Sequence, residues 1–160
     1  MEDFNTLEKA KSLFNSAVPG EEWSGFFVGY KDINANTSTS YLLGGAVGGY
    51  MAGAKNAQEY PYDAMLVALG KNGIAYFPLQ KTSLFKAKLK DLVIEKDKCE
   101  YIPYNMIDKI VAKKFPLGKN KKFRMYVKNG KNHCLIVSHK EDLPYHEAGT
   151  IELINRFGKK

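Results

Sequence analysis

Soft metal donors are the first candidates for chemistry. His133 and Cys134 adjoin, His139 follows, and Cys99 lies upstream. Such residues hold zinc when their spacing brings them together. Neighbours on a strand point to opposite faces, and there is no Cys-x-x-Cys or His-x-x-x-His pair, so the spacing argues against a metal centre. A phosphate loop is the next candidate, at Gly48–Gly53 with Lys55 behind it. The lysine stands one residue late, no Ser or Thr follows to reach Mg²⁺, and the residues before it are polar rather than strand-like. Nucleophile elbows of the Gly-x-Ser-x-Gly kind are absent, and the three histidines crowd into 133–146. His146, early in the closing helical stretch, reads as a surface residue. Glu21/Glu22 and Glu141/Asp142 read as loop and cap residues rather than as a catalytic pair. The expectation is a chain without catalysis, metal, cofactor or small-molecule substrate.

Charge is the stronger signal. Residues 1–80 carry 5 basic and 8 acidic groups, whereas residues 81–131 carry 15 basic and 5 acidic ones. A basic middle, net +10, on an otherwise near-neutral chain points to an anionic neighbour. Lys113, Lys114, Lys121, Lys122, Arg124 and Lys128 form its centre, with Phe115, Phe123 and Tyr126 interleaved. Nucleic-acid binders mix cations and aromatics in this way. Strand alternation, however, sends Phe123 to the core, and only one arginine is present, so nucleic acid is disfavoured.

A second candidate surface is compositional. Tyr41–Ala54 reads YLLGGAVGGYMAGA, with Gly45, Gly49 and Gly53 four apart. On a helix these make a smooth face where another backbone approaches closely. The same segment carries Tyr41, Leu42, Leu43, Tyr50 and Met51, which would enter a membrane interface. Fourteen residues make about 21 Å of helix, short of a ~30 Å hydrocarbon core. The segment is expected to act as an adhesive zipper or to dip into a membrane surface.

These groups need elements to carry them. Phe4, Leu7, Ala10, Phe14 and Ala17 recur at helical spacing, with Asn5 as cap, Glu8 three residues on and Pro19-Gly20 as the stop. Trp23–Tyr30 is aromatic and short, a strand. Asn72-Gly73 separates two apolar runs, as does Asn129-Gly130, and each predicts a hairpin on a type I′ turn. Residues 80–98 predict one or two short strands, and Cys99–Tyr104 and Ile107–Phe115 two more. Along the second hairpin Phe123, Met125 and Val127 point one way, and Lys122, Arg124, Tyr126 and Lys128 the other. Asp142-Leu143-Pro144 opens a closing helix with the apolar stripe Ala148, Ile151, Ile154 and Phe157, flanked by Leu153.

At 160 residues, 44% of them hydrophobic, the chain predicts one domain with a real core. Residues 1–20 form its helical approach, and residues 21–160 its body with a glycine-rich insertion at about 32–62. No run of 18 apolar residues exists, and the first residues are acidic, so export and membrane spanning are not expected. The expected location is cytoplasmic, with peripheral membrane contact as the alternative. Cys99 and Cys134 read as small half-buried side chains, with a pairing across neighbouring strands as the alternative, which a reducing cytoplasm would oppose.

The pattern resembles the bacterial pleckstrin-homology-like (PH-like) domains. The resemblance rests on Glu22–Tyr30, on the strand pair in Ala64–Leu79, and on Tyr101-Ile102-Pro103-Tyr104 followed by Ile107 and Ile110. The strand pair at 121–137 and the helix at 145–157 complete it. It implies a mainly β fold: a seven-stranded antiparallel sandwich or partly open barrel, capped by the C-terminal helix and preceded by an N-terminal helix. It also implies a binding module rather than an enzyme, self-associating or docking a protein, with an anionic membrane surface as alternative partner. About 30 residues separate the first two strands, where the family has a short loop. That region offers only Lys31 and Lys55, so the resemblance implies no inositol-phosphate site.

Overall fold

A computed structural model describes residues 2–32, 62–81, 92–115, 120–128, 132–138 and 143–158. Helix α1 spans Leu7–Ala17 after a 3₁₀ turn at Glu2–Phe4. Strands follow at Trp23–Lys31 (β1), Ala64–Gly70 (β2), Gly73–Lys81 (β3), Leu92–Ile94 (β4) and Glu100–Pro103 (β5). Ile107–Lys114 (β6), Lys121–Val127 (β7) and His133–Val137 (β8) complete the sheet, and helix α2, His146–Phe157, follows it. The glycine-rich run 41–54, with its expected zipper residues Tyr41, Leu42, Gly45, Gly49, Tyr50 and Gly53, lies outside the described residues. So do Asn129-Gly130 and Asp142.

The local signals set most boundaries, with shifts of one residue. Thr6, not Asn5, caps α1: its hydroxyl accepts from the Lys9 N–H at 3.2 Å. Helix α1 stops where Gly20 turns at φ +90°, a left-handed conformation that glycine adopts without steric cost. The first hairpin reverses at Lys71-Asn72, because Gly73 already belongs to β3. The Asn-Gly pair therefore marks the hairpin without forming its two central residues.

The described strands all pair antiparallel in the order β4-β3-β2-β1-β8-β7-β6, and β5 pairs β3 beside β4. Among the described residues, eight strands stand where seven were expected. The turn after β4, closed by the Lys98 N–H on the Glu95 carbonyl, breaks β3's outer partner in two. Leu79–Lys81 face β4, and Gly73–Tyr76 face β5. Among the described residues nothing pairs β6 with β4 or β5. The described strands curl but do not close into a barrel.

Two cores lie on its two faces. On one, α1 lays Ala10 and Phe14 against Phe26, Leu66 and Phe77, with the Phe14 ring 4.9 Å from that of Phe77. Fully burying a Phe of this kind contributes about 2–3 kcal/mol. On the other face, β1–β3 meet β7 and β8. The Phe27 and Phe123 rings stand 5.6 Å apart, and the Tyr76 and His133 rings 4.9 Å apart.

Helix α2 sits across the weak seam of this curl. Among the described residues, strand β1 pairs β8 only at Tyr30–Ile136 and Lys31–Leu135. Further back along β1, α2 replaces β8 as neighbour. The expected stripe is rotated as a result. Gly149, Thr150 and Leu153 point inward, Ile154 and Phe157 are half-buried, and Ala148 and Ile151 face water. A backbone-to-backbone contact between α2 and β1 turns the helix, and hydropathy does not report such a contact. His146 is likewise buried, against expectation. Its Nδ1 accepts from the Val28 N–H at 3.2 Å, and its Nε2 lies 2.7 Å from the Ser138 carbonyl oxygen. The imidazole thus supplies the partner that β8 would have given Val28.

Candidate functional site

The basic residues ride on the β6–β7 ribbon, whose register is continuous from Lys109–Tyr126 to Lys114–Lys121. Alternation works as expected there. Phe123 and Met125 are fully buried, while Lys122, Arg124 and Tyr126 are half-exposed on the opposite face. The register adds a relation that no single strand reveals. Lys113 stands directly opposite Lys122, and Lys114 directly opposite Lys121. Like charges facing across a ladder destabilise it. Two consecutive lysine pairs therefore share one end of the ribbon. Lys113 and Lys122 lie on its outer face, and Lys114 and Lys121 on the other.

Among the described residues no carboxylate pairs with any of these four lysines. The Lys122 ammonium lies 5.8 Å from the centre of the Phe115 ring. The Phe115 N–H donates to the Asn120 carbonyl and closes the ribbon just beyond. Val111 and Ile136, half-buried, border Lys113 and Lys122 on the outer face. This end of the ribbon is basic with apolar patches between.

The other two expected cations are separate. Arg124 lies 4.0 Å from the carboxylate of Asp32, itself buried beyond the end of β1, so its charge is engaged within the fold. Lys128 is exposed past the far end of β7, with its N–H on the Met106 carbonyl. Six residues from Lys122 to Lys128 span roughly 20 Å of strand. The expected single patch is thus a cluster of four lysines, an internal ion pair and a remote cation.

A polar clasp at the opposite end has no counterpart among the sequence expectations. Glu21, expected to be a plain loop residue, accepts from Tyr101 Oη at 2.6 Å, from Asn72 N and Nδ2 at 3.0 and 3.3 Å, and from Glu22 N at 2.8 Å. Burial works to raise its pKa, and these hydrogen bonds overcome that and hold it below the usual carboxylate range. Next to it, Arg156 of α2 donates to Tyr104 Oη at 2.8 Å and to the Gly70 carbonyl at 3.1 Å. The clasp ties the β2–β3 turn to β5 and α2. Apart from the adjacent Glu22 N–H, its partners stand 51 to 86 positions apart, and no local pattern announces them.

The described residues also leave a groove of about 360 Å³ between α1 and the start of α2, floored by Gly25 and Phe26. Leu7, Lys11, Trp23 and Ala148 form its rim. Cys99 and Cys134 form no disulfide: Cys134 is buried, and burial pushes the Cys99 thiol up to about 11. Among the described residues no three His, Cys, Asp or Glu side chains gather as a metal site, and no helix is long and apolar enough to cross a membrane. Compared with protein-family models, curated proteins and solved structures, the chain gives no match.

Proposed function

We propose that this chain is a non-enzymatic PH-like interaction module whose lysine-rich β6–β7 ribbon docks an acidic protein partner. The strand order supports the fold half of that reading. Two meanders, β1–β4 with β5 and then β6–β8, are joined edge to edge through β1 and β8, and the terminal helix spans the seam. Counting β4 and β5 as one interrupted strand restores the expected seven.

One observation carries the functional half: Lys113 against Lys122, and Lys114 against Lys121. Each such pair costs about 0.2–1 kcal/mol relative to a neutral one, and an external anion offsets it. Val111 and Ile136 beside the charges suit a protein surface, where carboxylates surround apolar contacts. The test is an NMR titration of the full chain with poly-L-glutamate at 50 and 300 mM salt (about a twofold change in screening length). Shifts confined to β6–β7, weakened by salt and lost in Lys113→Glu/Lys122→Glu, support the reading. Absence of ribbon shifts at low salt overturns it.

Lysines on both sides of one ribbon end, with Phe115 between, also favour a second reading, contact with an anionic membrane surface. Polybasic contacts there contribute about 1 kcal/mol per residue. Co-sedimentation with phosphatidylserine vesicles, in the absence of any response to polyglutamate, is the outcome that would select it.

A further inference from the structure

Both ring nitrogens of His146 are held by main chain. Its Nδ1 accepts from the Val28 N–H at 3.2 Å, and its Nε2 lies 2.7 Å from the Ser138 carbonyl oxygen. A carbonyl oxygen has no proton to give, and a peptide N–H has no lone pair to offer. The two contacts therefore admit one form of the ring, neutral with its proton on Nε2. A second proton would sit on Nδ1, head on against the Val28 N–H. The residue is 1% exposed, so water takes over neither contact. It also opens α2, where the helix dipole presents its positive end. Desolvation, the Val28 contact and the helix terminus all disfavour a charged ring.

The ring bridges β1, the start of α2 and the end of β8, and beneath α2 the β1 residues Phe26 and Val28 are fully buried. We propose that His146 is a pH-sensitive latch: as the neutral imidazole it holds the start of α2 on β1, and protonation in mild acid frees the helix and uncovers Phe26 and Val28. Released into water, an imidazole titrates at about 6.5. The released form takes up the proton and the latched form does not. The latch is therefore complete above that pH and weakens as pH falls below it. On α2 the nearest charged groups are Glu147, which is exposed, and Glu152 further on. On β1 they are Lys31 and Asp32, whose carboxylate faces Arg124. His133 of β8 stacks on Tyr76 in the other core. Lys11 of α1 and Tyr145, whose hydroxyl donates to the Phe4 carbonyl, stand beside the first turn of α2. His139, Lys140, Glu141 and Asp142 lie outside the described residues. The latch does not involve the lysine ribbon, so the two proposals stand or fall separately.

NMR of the full chain from about pH 8 to about pH 5 tests it, a range that brackets the ordinary imidazole titration, with circular dichroism to confirm folding. In wild type the His146 ring-nitrogen shifts are expected to show the neutral Nε2–H form while α2 is docked. The opening equilibrium at the Val28 and Gly149 amides, corrected for the intrinsic pH dependence of exchange, is expected to grow about tenfold per pH unit below about 6.5. His146→Asn offers Val28 a carbonyl acceptor that does not titrate. It is expected to flatten that slope to less than about twofold per unit. The variant leaves residues 139–142 as they are, so a response that arises there persists in it and overturns the proposal. So does an imidazolium in the docked chain above about pH 6, or an opening equilibrium that stays flat in wild type. Should His146→Asn fail to fold, the wild-type ring shifts and exchange slope still decide.

Discussion

Gly149 of α2 lies so close to β1 that a Cβ added to it would stand 1.8 Å from the Phe26 carbonyl oxygen. No real Cβ occupies such a position, and the obstacle is backbone, which cannot rotate away. The helix therefore seats by main-chain contact, and this sets the rotation that buries Leu153 and exposes Ile151.

Gly149→Ala is accordingly expected to cost about 3 kcal/mol or more, since the overlap is removed only by lifting α2 from the sheet. Across the contact, Gly25→Ala would bring a Cβ to 3.1 Å from Gly149 Cα and should cost less. Chemical denaturation of the two variants checks the order.

His146→Ala should be nearly as damaging. It leaves the Val28 N–H and the Ser138 carbonyl without the imidazole. A buried polar group left unsatisfied costs about 1–3 kcal/mol. Amide exchange at Val28 should accelerate by at least about tenfold relative to other β1 amides, which a merely global loss would not produce.

The clasp predicts pH dependence at both extremes. Glu21 has its folded-state pKa below its ordinary value, so its contribution is complete above the ordinary carboxylate range and is lost as pH falls through the depressed value. Burial first, and then the Glu21 hydrogen bond, push the Tyr101 phenol up to about 12. Its contribution is complete below its ordinary value of 10.0 and is lost as pH rises through about 12. Glu21→Gln should flatten the acid limb of the stability profile, and Tyr101→Phe the alkaline limb, each at a cost of about 1–2 kcal/mol near neutrality. Thermal melts from acid to about pH 12 read both limbs.

The lysine pairs predict opposite signs for stability and binding. Lys122→Glu replaces a repulsive cross-strand pair with an attractive one, and should stabilise the chain by about 0.2–1 kcal/mol. The same substitution should weaken polyglutamate binding at least about fivefold. A variant that loses both would place Lys122 in the fold rather than in recognition.

Much of the architecture is legible in the order of residues alone. Hairpins and amphipathic helices are written in residues a few positions apart, so β1, β7 and α1 fall where alternation and periodicity put them, and the first hairpin reverses one residue before its Asn-Gly mark. The parity of Phe123 and Met125 against Lys122 and Arg124 follows from the pleat alone. Charge counting likewise marks the middle of the chain, which is where the lysine ribbon lies.

What the residues could not announce are relations between distant strands and helices. Register alone brings Lys113 opposite Lys122, and a register is settled by side chains packing on both faces of the sheet at once. The rotation of α2 comes from Gly149 meeting the Phe26 backbone, far off in the chain. No hydropathy pattern contains that contact, because glycine has no side chain to score. His146 and Glu21 look like surface polar residues for a related reason: their partners lie on other elements. Local sequence governs which element forms and which face is apolar, but the partner of a buried polar group is chosen by the sheet's curl, which exists only once the whole chain has closed around its core.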